Sequence, residues 1–283
     1  MVNKHISLRK DRKALSPALS TMILTSAIVV MILVAMAFAN GFLNTNMAQN
    51  EFSSNKNFMQ SAGLQIDDIA WTIGRTQTVT YSSNFGTVHF EPLAVNYTFQ
   101  VHYTTGSWGN LTTGVTGIIL FNMPVSSYSV GKNYFERVPT SANSSILLSG
   151  SSAPVCQVIC EEKLPMADGS YTRIAAVPTI RMLNSTITGT QNQVNYFKFY
   201  LPILQNGTSR YLSQSLSMTG NGITKVTENG VDQVRISVNF PQATAGFDSS
   251  FFNFKQTNLT IALPPNSVAE FYIGTVLVTI GSV

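Results

Sequence analysis

ALSTMILTSAIVVMILVAMAFA, running from Ala18 to Ala39, decides how the rest of the chain is read. A helix needs about 20 apolar residues to cross the hydrocarbon core of a bilayer. The apolar part of a removable secretory signal is only about 7 to 15 residues long. The run therefore has the length of a retained membrane helix. Ala37-Phe38-Ala39 ahead of Asn40 also fits the small-x-small pattern of a signal-peptidase site, but the length of the run argues against removal. The same alanines suit close packing between membrane helices. Its candidate helix-packing residues are Leu19, Met22, Ile23, Ile28, Val29, Ile32 and Leu33.

Charge fixes the orientation. Lys4, Arg9, Lys10, Arg12 and Lys13, offset by Asp11, account for the whole net charge of +4, and no charge follows Lys13 until Glu51. Basic residues before the apolar run predict a cytoplasmic N-terminus, with everything beyond Asn40 outside. The remaining chain is neutral, so it offers no basic footprint for phosphate, and nucleic acid is not an expected partner. Charged residues make up 11% of the 283-residue chain, a composition that favours an exported, polar but uncharged surface over a cytosolic enzyme.

Upstream, Arg12-Lys13-Ala14-Leu15-Ser16-Pro17-Ala18-Leu19 joins a basic anchor, a small residue and a helix-starting proline. This junction resembles the start of archaeal type IV pilins over about 30 residues. The resemblance implies that a prepilin peptidase cuts between Ala14 and Leu15. The site would comprise Lys13, Ala14, Leu15, Ser16 and Pro17, and the helix would be kept. Bacterial type IV pilins carry a Glu five residues into the mature chain, whereas Leu19 stands there in this sequence. Archaellins usually begin with glycine-rich starts in place of the Ser-Pro step, so the resemblance is to a pilus rather than an archaellum. It implies other copies of the chain or related pilins, the prepilin peptidase, a membrane assembly machinery and, before assembly, lipid as partners. The alternative is a monomeric surface-binding protein on an uncleaved signal anchor.

Phe42, Met47, Phe52, Met59, Ala62, Ile66, Ile69 and Ala70 recur at helical intervals, which carries the helix to about Trp71. Gly41 and Gly63 are expected kinks or breaks. Beyond Arg75 the period becomes two. Thr76–Tyr81 and Gly86–Glu91 read as one hairpin, and Ile223–Glu228 and Val231–Val238 read as another about Asn229-Gly230. Residues 104–117 and 138–153 read as loops. The expected fold is α+β: residues 1–14 form a leader, 15–40 the membrane or filament-core helix, 41–73 its amphipathic continuation, and 74–283 a mainly antiparallel head. That head is either one β-sandwich or two stacked units divided near 140–153.

No constellation of nucleophile, base and acid, no phosphate loop and no metal-binding helix is visible, so neither enzymatic activity nor a cofactor is expected. His89 and His102 lack neighbouring partners in the sequence. Asp67-Asp68 reads as a solvated face. Trp71 and Trp108 read as core packing ahead of a carbohydrate platform. Cys156 and Cys160 are candidates for a small disulfide loop in an extracytoplasmic chain and fall short of a zinc site. Sequons at Asn96, Asn110, Asn143, Asn184, Asn206 and Asn258 are candidate glycosylation sites, with Asn110, Asn143 and Asn206 the expected loop positions.

Overall fold

A computed structural model describes residues 16–138, 145–188, 193–207 and 214–281. The chain forms two units, Met1–Met47 and Ala48–Val283. Helix α1, Ser16–Ala70, is unbroken through Gly41 and Gly63 and contributes its last 23 residues, from Ala48, to the second unit. Neither glycine interrupts it, contrary to the sequence expectation. Gly63 instead faces Cys156, whose side chain would lie 3.6 Å from an added Cβ.

The strands are β1 (Thr76–Thr80), β2 (Thr87–Tyr103), β3 (Trp108–Pro124), β4 (Tyr134–Val138), β5 (Leu147–Ser149), β6 (Cys156–Glu162), β7 (Tyr171–Pro178), β8 (Ile180–Thr188), β9 (Gln193–Asn206), β10 (Ser215–Asn239) and β11 (Asn258–Gly281). A short helix, α2 (Ser249–Phe252), precedes the last strand. They form one 11-stranded sheet in the order β4-β6-β7-β3-β2-β10-β11-β9-β8-β5, with β1 added to β10. Among the described residues only the β11–β9 and β5–β8 pairs are parallel. The protein is therefore α+β, an apolar N-terminal helix followed by a β-rich head.

Alternation along the strands builds two cores. Ile118 and Leu120 of β3 join Tyr97, Phe99, Leu201, Phe199 and Phe271 in one. Ile119 and Phe121 join the other, beneath α1, with Phe52, Met59, Ile66 and Ile69. An added Cβ at Gly114 of β3 would sit 3.0 Å from Ile203 and Leu201 of β9, so the sheet closes over itself in the manner of a sandwich. β6 and β7 are covered on both faces. The buried face of α1 reads Ala48, Glu51, Phe52, Asn55, Met59, Ala62, Ile66 and Ile69, a stripe at helical spacing. Phe42 and Met47, placed on that stripe by the sequence reading, are exposed.

The helix ends against the sheet. Gly220 and Gly274 lie where an added Cβ would come within 2.4 Å of the Thr72 carbonyl oxygen and 2.3 Å of the Ala70 carbonyl oxygen, so only glycine admits this approach. Gly74, at φ +80°, turns the chain and donates its N–H to the Gly220 carbonyl at 2.8 Å.

Several sequence expectations are overturned. β1 does not pair with β2: Thr76–Thr80 lies on Ser215–Thr219, and β2 begins on β3 with Thr87 opposite Asn122. The intervening segment is held from outside, because the buried Glu51 carboxylate of α1 accepts N–H bonds from Asn84, Phe85 and Gly86. Nor does Asn229-Gly230 turn a hairpin. β10 runs straight through it, with β11 opposite on both sides. The positive φ of Gly230, +69°, serves a bulge. β11 breaks register at the same level, where Asn266 has φ +61°. Residues 104–117 contain a four-residue turn before β3 starts at Trp108. Gly109, Gly114 and Gly117 are strand positions where neighbouring side chains crowd in. β4 pairs directly with β6, so strands on either side of 140–153 belong to one compact head rather than to two units.

Candidate functional site

The most unusual surface belongs to the first unit. Residues 28–34 are seven consecutive apolar positions, and at about 100° per residue they coat every side of a helix. Thirteen large apolar side chains between Leu19 and Phe38 are exposed, from 43% at Ile28 to 76% at Phe38. The most apolar 18 residues of the helix have a mean hydropathy of 2.7, and none is buried. Full burial of a large apolar side chain contributes about 1.5 to 3 kcal/mol. Covering these thirteen is thus on the order of 20 kcal/mol, more than the roughly 5 to 15 kcal/mol that holds an ordinary domain together. Water is therefore the wrong surrounding for this segment. Two of its threonines bond back to the helix itself, Thr25 Oγ1 donating to the Thr21 carbonyl at 2.9 Å and Thr45 Oγ1 to the Gly41 carbonyl at 3.0 Å. Among the described residues one helix is long and apolar enough to cross a membrane.

Leu19, Met22, Ile23, Ile28, Val29, Ile32 and Leu33 all lie on this exposed surface. Pro17 is in the first turn of α1, and Lys13, Ala14 and Leu15 lie outside the described residues. Ser16 begins the helix.

On the head, the disulfide expectation is corrected. Cys156 and Cys160 are free and buried on the single strand β6. Four residues along a strand span about 13 Å, well beyond the roughly 7 Å limit for Cα atoms of a disulfide. Burial pushes both thiols up, Cys160 to about 12. Of the sequons, Asn110, Asn184, Asn206 and Asn258 are exposed and Asn96 is half-buried in β2. Asn110 stands on β3 instead of a loop, and its side-chain oxygen accepts from Gln100 at 2.6 Å. Asn143 lies outside the described residues.

His102 does have a partner: its Nδ1 is 2.5 Å from the Asp232 carboxylate, brought alongside by pairing of β2 with β10. His89 is held below its usual pKa by burial and by the Arg173 guanidinium. Asp67 and Asp68 are partnered as well, Asp67 by Trp71 Nε1 and Arg181, Asp68 by Arg75 and Gln77. Trp71 packs edge-on against Tyr200, and Trp108 is 40% exposed with the Arg235 guanidinium 4.0 Å from its ring centre. Neither presents an open aromatic platform. Among the described residues no three His, Cys, Asp or Glu side chains are placed to hold a metal ion.

Sequence reasoning missed a cavity of about 250 Å³ on the head, lined by Glu161, Lys163, Arg173, Asp248 and Phe251 among others. Glu161 and Arg173 are direct cross-strand neighbours on β6 and β7, 3% and 1% exposed. Arg173 pairs with Asp168 and lies near the rings of Tyr171 and Phe247. Burial raises the Glu161 pKa to about 7, against the opposing pull of Lys163 and Arg173. The only sequence signal was two charged residues inside otherwise apolar strand runs.

Compared with known proteins, the chain matches no protein-family model, no curated protein and no solved structure.

Proposed function

We propose that the chain is the precursor of a pilin-like structural subunit of an archaeal surface filament. On this reading, a prepilin peptidase at the cytoplasmic face cuts between Ala14 and Leu15. The helix stays with the product, first in lipid and then packed against the helices of other copies, with the β head exposed outside the cell. A membrane assembly machinery would transfer the subunit from one surrounding to the other.

The observation that carries the reading is the exposed apolar surface from Leu19 to Phe38, joined without a break to a helix stripe that is buried in the head. An apolar helix coated on all sides gains only part of the available stabilisation from covering one face. It is satisfied only by lipid or by several similar neighbours. The alanines and Gly41 among the bulky residues allow close helix approach.

Electron microscopy of material sheared from cells, with and without the gene, tests the proposal. Filaments that vanish on deletion and contain this chain support it. A chain found only as a membrane-anchored monomer, with Lys13 retained and no filaments, favours the surface-binding alternative.

A further inference from the structure

The cavity beside β6 and β7 has features of a built binding site rather than a surface dent. Its floor holds two ionisable side chains that are almost wholly buried, Glu161 and Arg173. They are cross-strand neighbours of opposite sign, yet Arg173 bonds Asp168, Glu161 Oε2 has the Lys163 ammonium only at 4.0 Å, and neither Glu161 Oε2 nor Arg173 Nε has a hydrogen-bond partner. A buried polar atom left unpaired costs about 1 to 3 kcal/mol. Such atoms in a native fold point to something that completes them.

The remaining charges narrow the chemistry. Asp248 is committed to the backbone N–H groups of Ser250 and Phe251 at the start of α2. Lys163 donates to the Ser250 carbonyl at 2.5 Å and lies 4.5 Å from the centre of the Phe135 ring. Arg173 is already neutralised by Asp168. An anionic ligand would face Glu161, and a cation would face Lys163 and Arg173. A hydroxyl group, by contrast, donates to the carboxylate and accepts from the guanidinium. Pro165, Met166 and Phe251 add apolar walls suited to the C–H face of a ring. At about 30 Å³ per water, the space holds roughly eight waters, which is small for a drug-sized ligand and adequate for one sugar ring.

We propose that this cavity binds a single neutral sugar ring through Glu161 and Arg173, with Phe251 as its apolar wall. The site does not depend on the chain being a pilin. The filament reading concerns the first unit and the helix stripe packed on one face of β6 and β7, where Cys160 and Ile174 lie, and this proposal concerns residues that alternate with them, on the parity of Ile159 and Ala175.

The test is saturation-transfer NMR and calorimetry on the full chain in a detergent without sugar headgroups. Glucose, galactose and mannose are titrated, each free and as its methyl glycoside. At least one should bind saturably in the millimolar range, as expected for a small ligand with few anchoring bonds. Binding should weaken at least tenfold in Glu161→Gln, which alters the acceptor, and in Ala167→Trp, which fills the mouth from an exposed loop position. Both variants should keep the wild-type near-ultraviolet circular dichroism. Retained binding of the glycoside assigns the site to a glycan end, and binding of the free sugar alone assigns it to a soluble ligand. Absence of saturable binding to every hexose, binding undiminished in both variants, or binding of glycine or inorganic phosphate instead would overturn it. Filament formation is read separately, so the two proposals fail independently.

Discussion

Replacing Glu51 with alanine removes the acceptor of three backbone N–H groups at once. In the folded head the Glu51 carboxylate is 5% exposed and lies 2.9 Å from the Asn84 nitrogen, 3.0 Å from that of Phe85 and 3.0 Å from that of Gly86. Each orphaned buried donor costs about 1 to 3 kcal/mol. Asn84 is exposed and can turn to water, so the whole loss is about 3 to 5 kcal/mol. For a head of this size, 1 kcal/mol shifts Tm by roughly 2 to 4 °C, which places the Glu51→Ala variant about 6 to 20 °C below wild type. Glu51→Gln, which keeps one carbonyl oxygen, should fall between the two. The assay is thermal melting of the full chain in detergent by near-ultraviolet circular dichroism, with hydrogen exchange to localise the effect. Exchange should quicken first at residues 84–86. A Tm within about 2 °C of wild type, which is under 1 kcal/mol at this size, would show that the loop does not hang on Glu51.

A charge in the exposed apolar segment should act differently. Leu33→Asp raises the cost of membrane insertion by roughly 3 to 4 kcal/mol while leaving the head's Tm unchanged, as read by membrane fractionation and melting in parallel. A large fall in Tm would place Leu33 in the head's core instead. Glu161 sets a pH dependence: its folded-state pKa of about 7 lies above the ordinary carboxylate value. The stability it contributes is therefore complete below that ordinary value and is lost as pH rises through about 7. The amount is roughly 3 kcal/mol, so Glu161→Gln should melt higher than wild type at pH 8 and close to it at pH 5. Equal melting at both values would put the carboxyl in water. Cys156 and Cys160 should resist a maleimide in the folded chain and both react on unfolding. Intact mass showing a two-proton loss would mean that they pair after all.

The helix was legible because its signals are local. A long apolar run and a stripe at helical spacing are each contained in one stretch of chain. β1, the start of β2 and most of β10 were legible for the same reason, through the alternation of Thr76–Tyr81, Gly86–Glu91, Ile223–Glu228 and Val231–Val238. Their partners were not. The sequence reading joined neighbouring runs by the nearest turn residues, whereas β1 pairs with β10 across more than a hundred residues. Gly230 carries the positive φ that Asn-Gly promised, yet a bulge uses that conformation as readily as a turn does. Gly114 fell in a segment read as a loop, and nothing in the sequence singled out Gly220 or Gly274. They are glycine because another element presses against them, and that cannot be read from their neighbours. Glu51 did leave a trace, since it falls within the helix stripe with Phe52, Asn55 and Met59. An acid on a buried face asks for a partner. The pairing of Glu161 with Arg173 across β6 and β7 left no such trace, because it exists only once the register of those two strands is set.

The most direct measurement is the intact mass and N-terminal sequence of the mature protein recovered from the cell surface. The account predicts a chain that begins at Leu15 and still carries the entire apolar helix. A mature chain beginning at Asn40, freely soluble and without that helix, would contradict it.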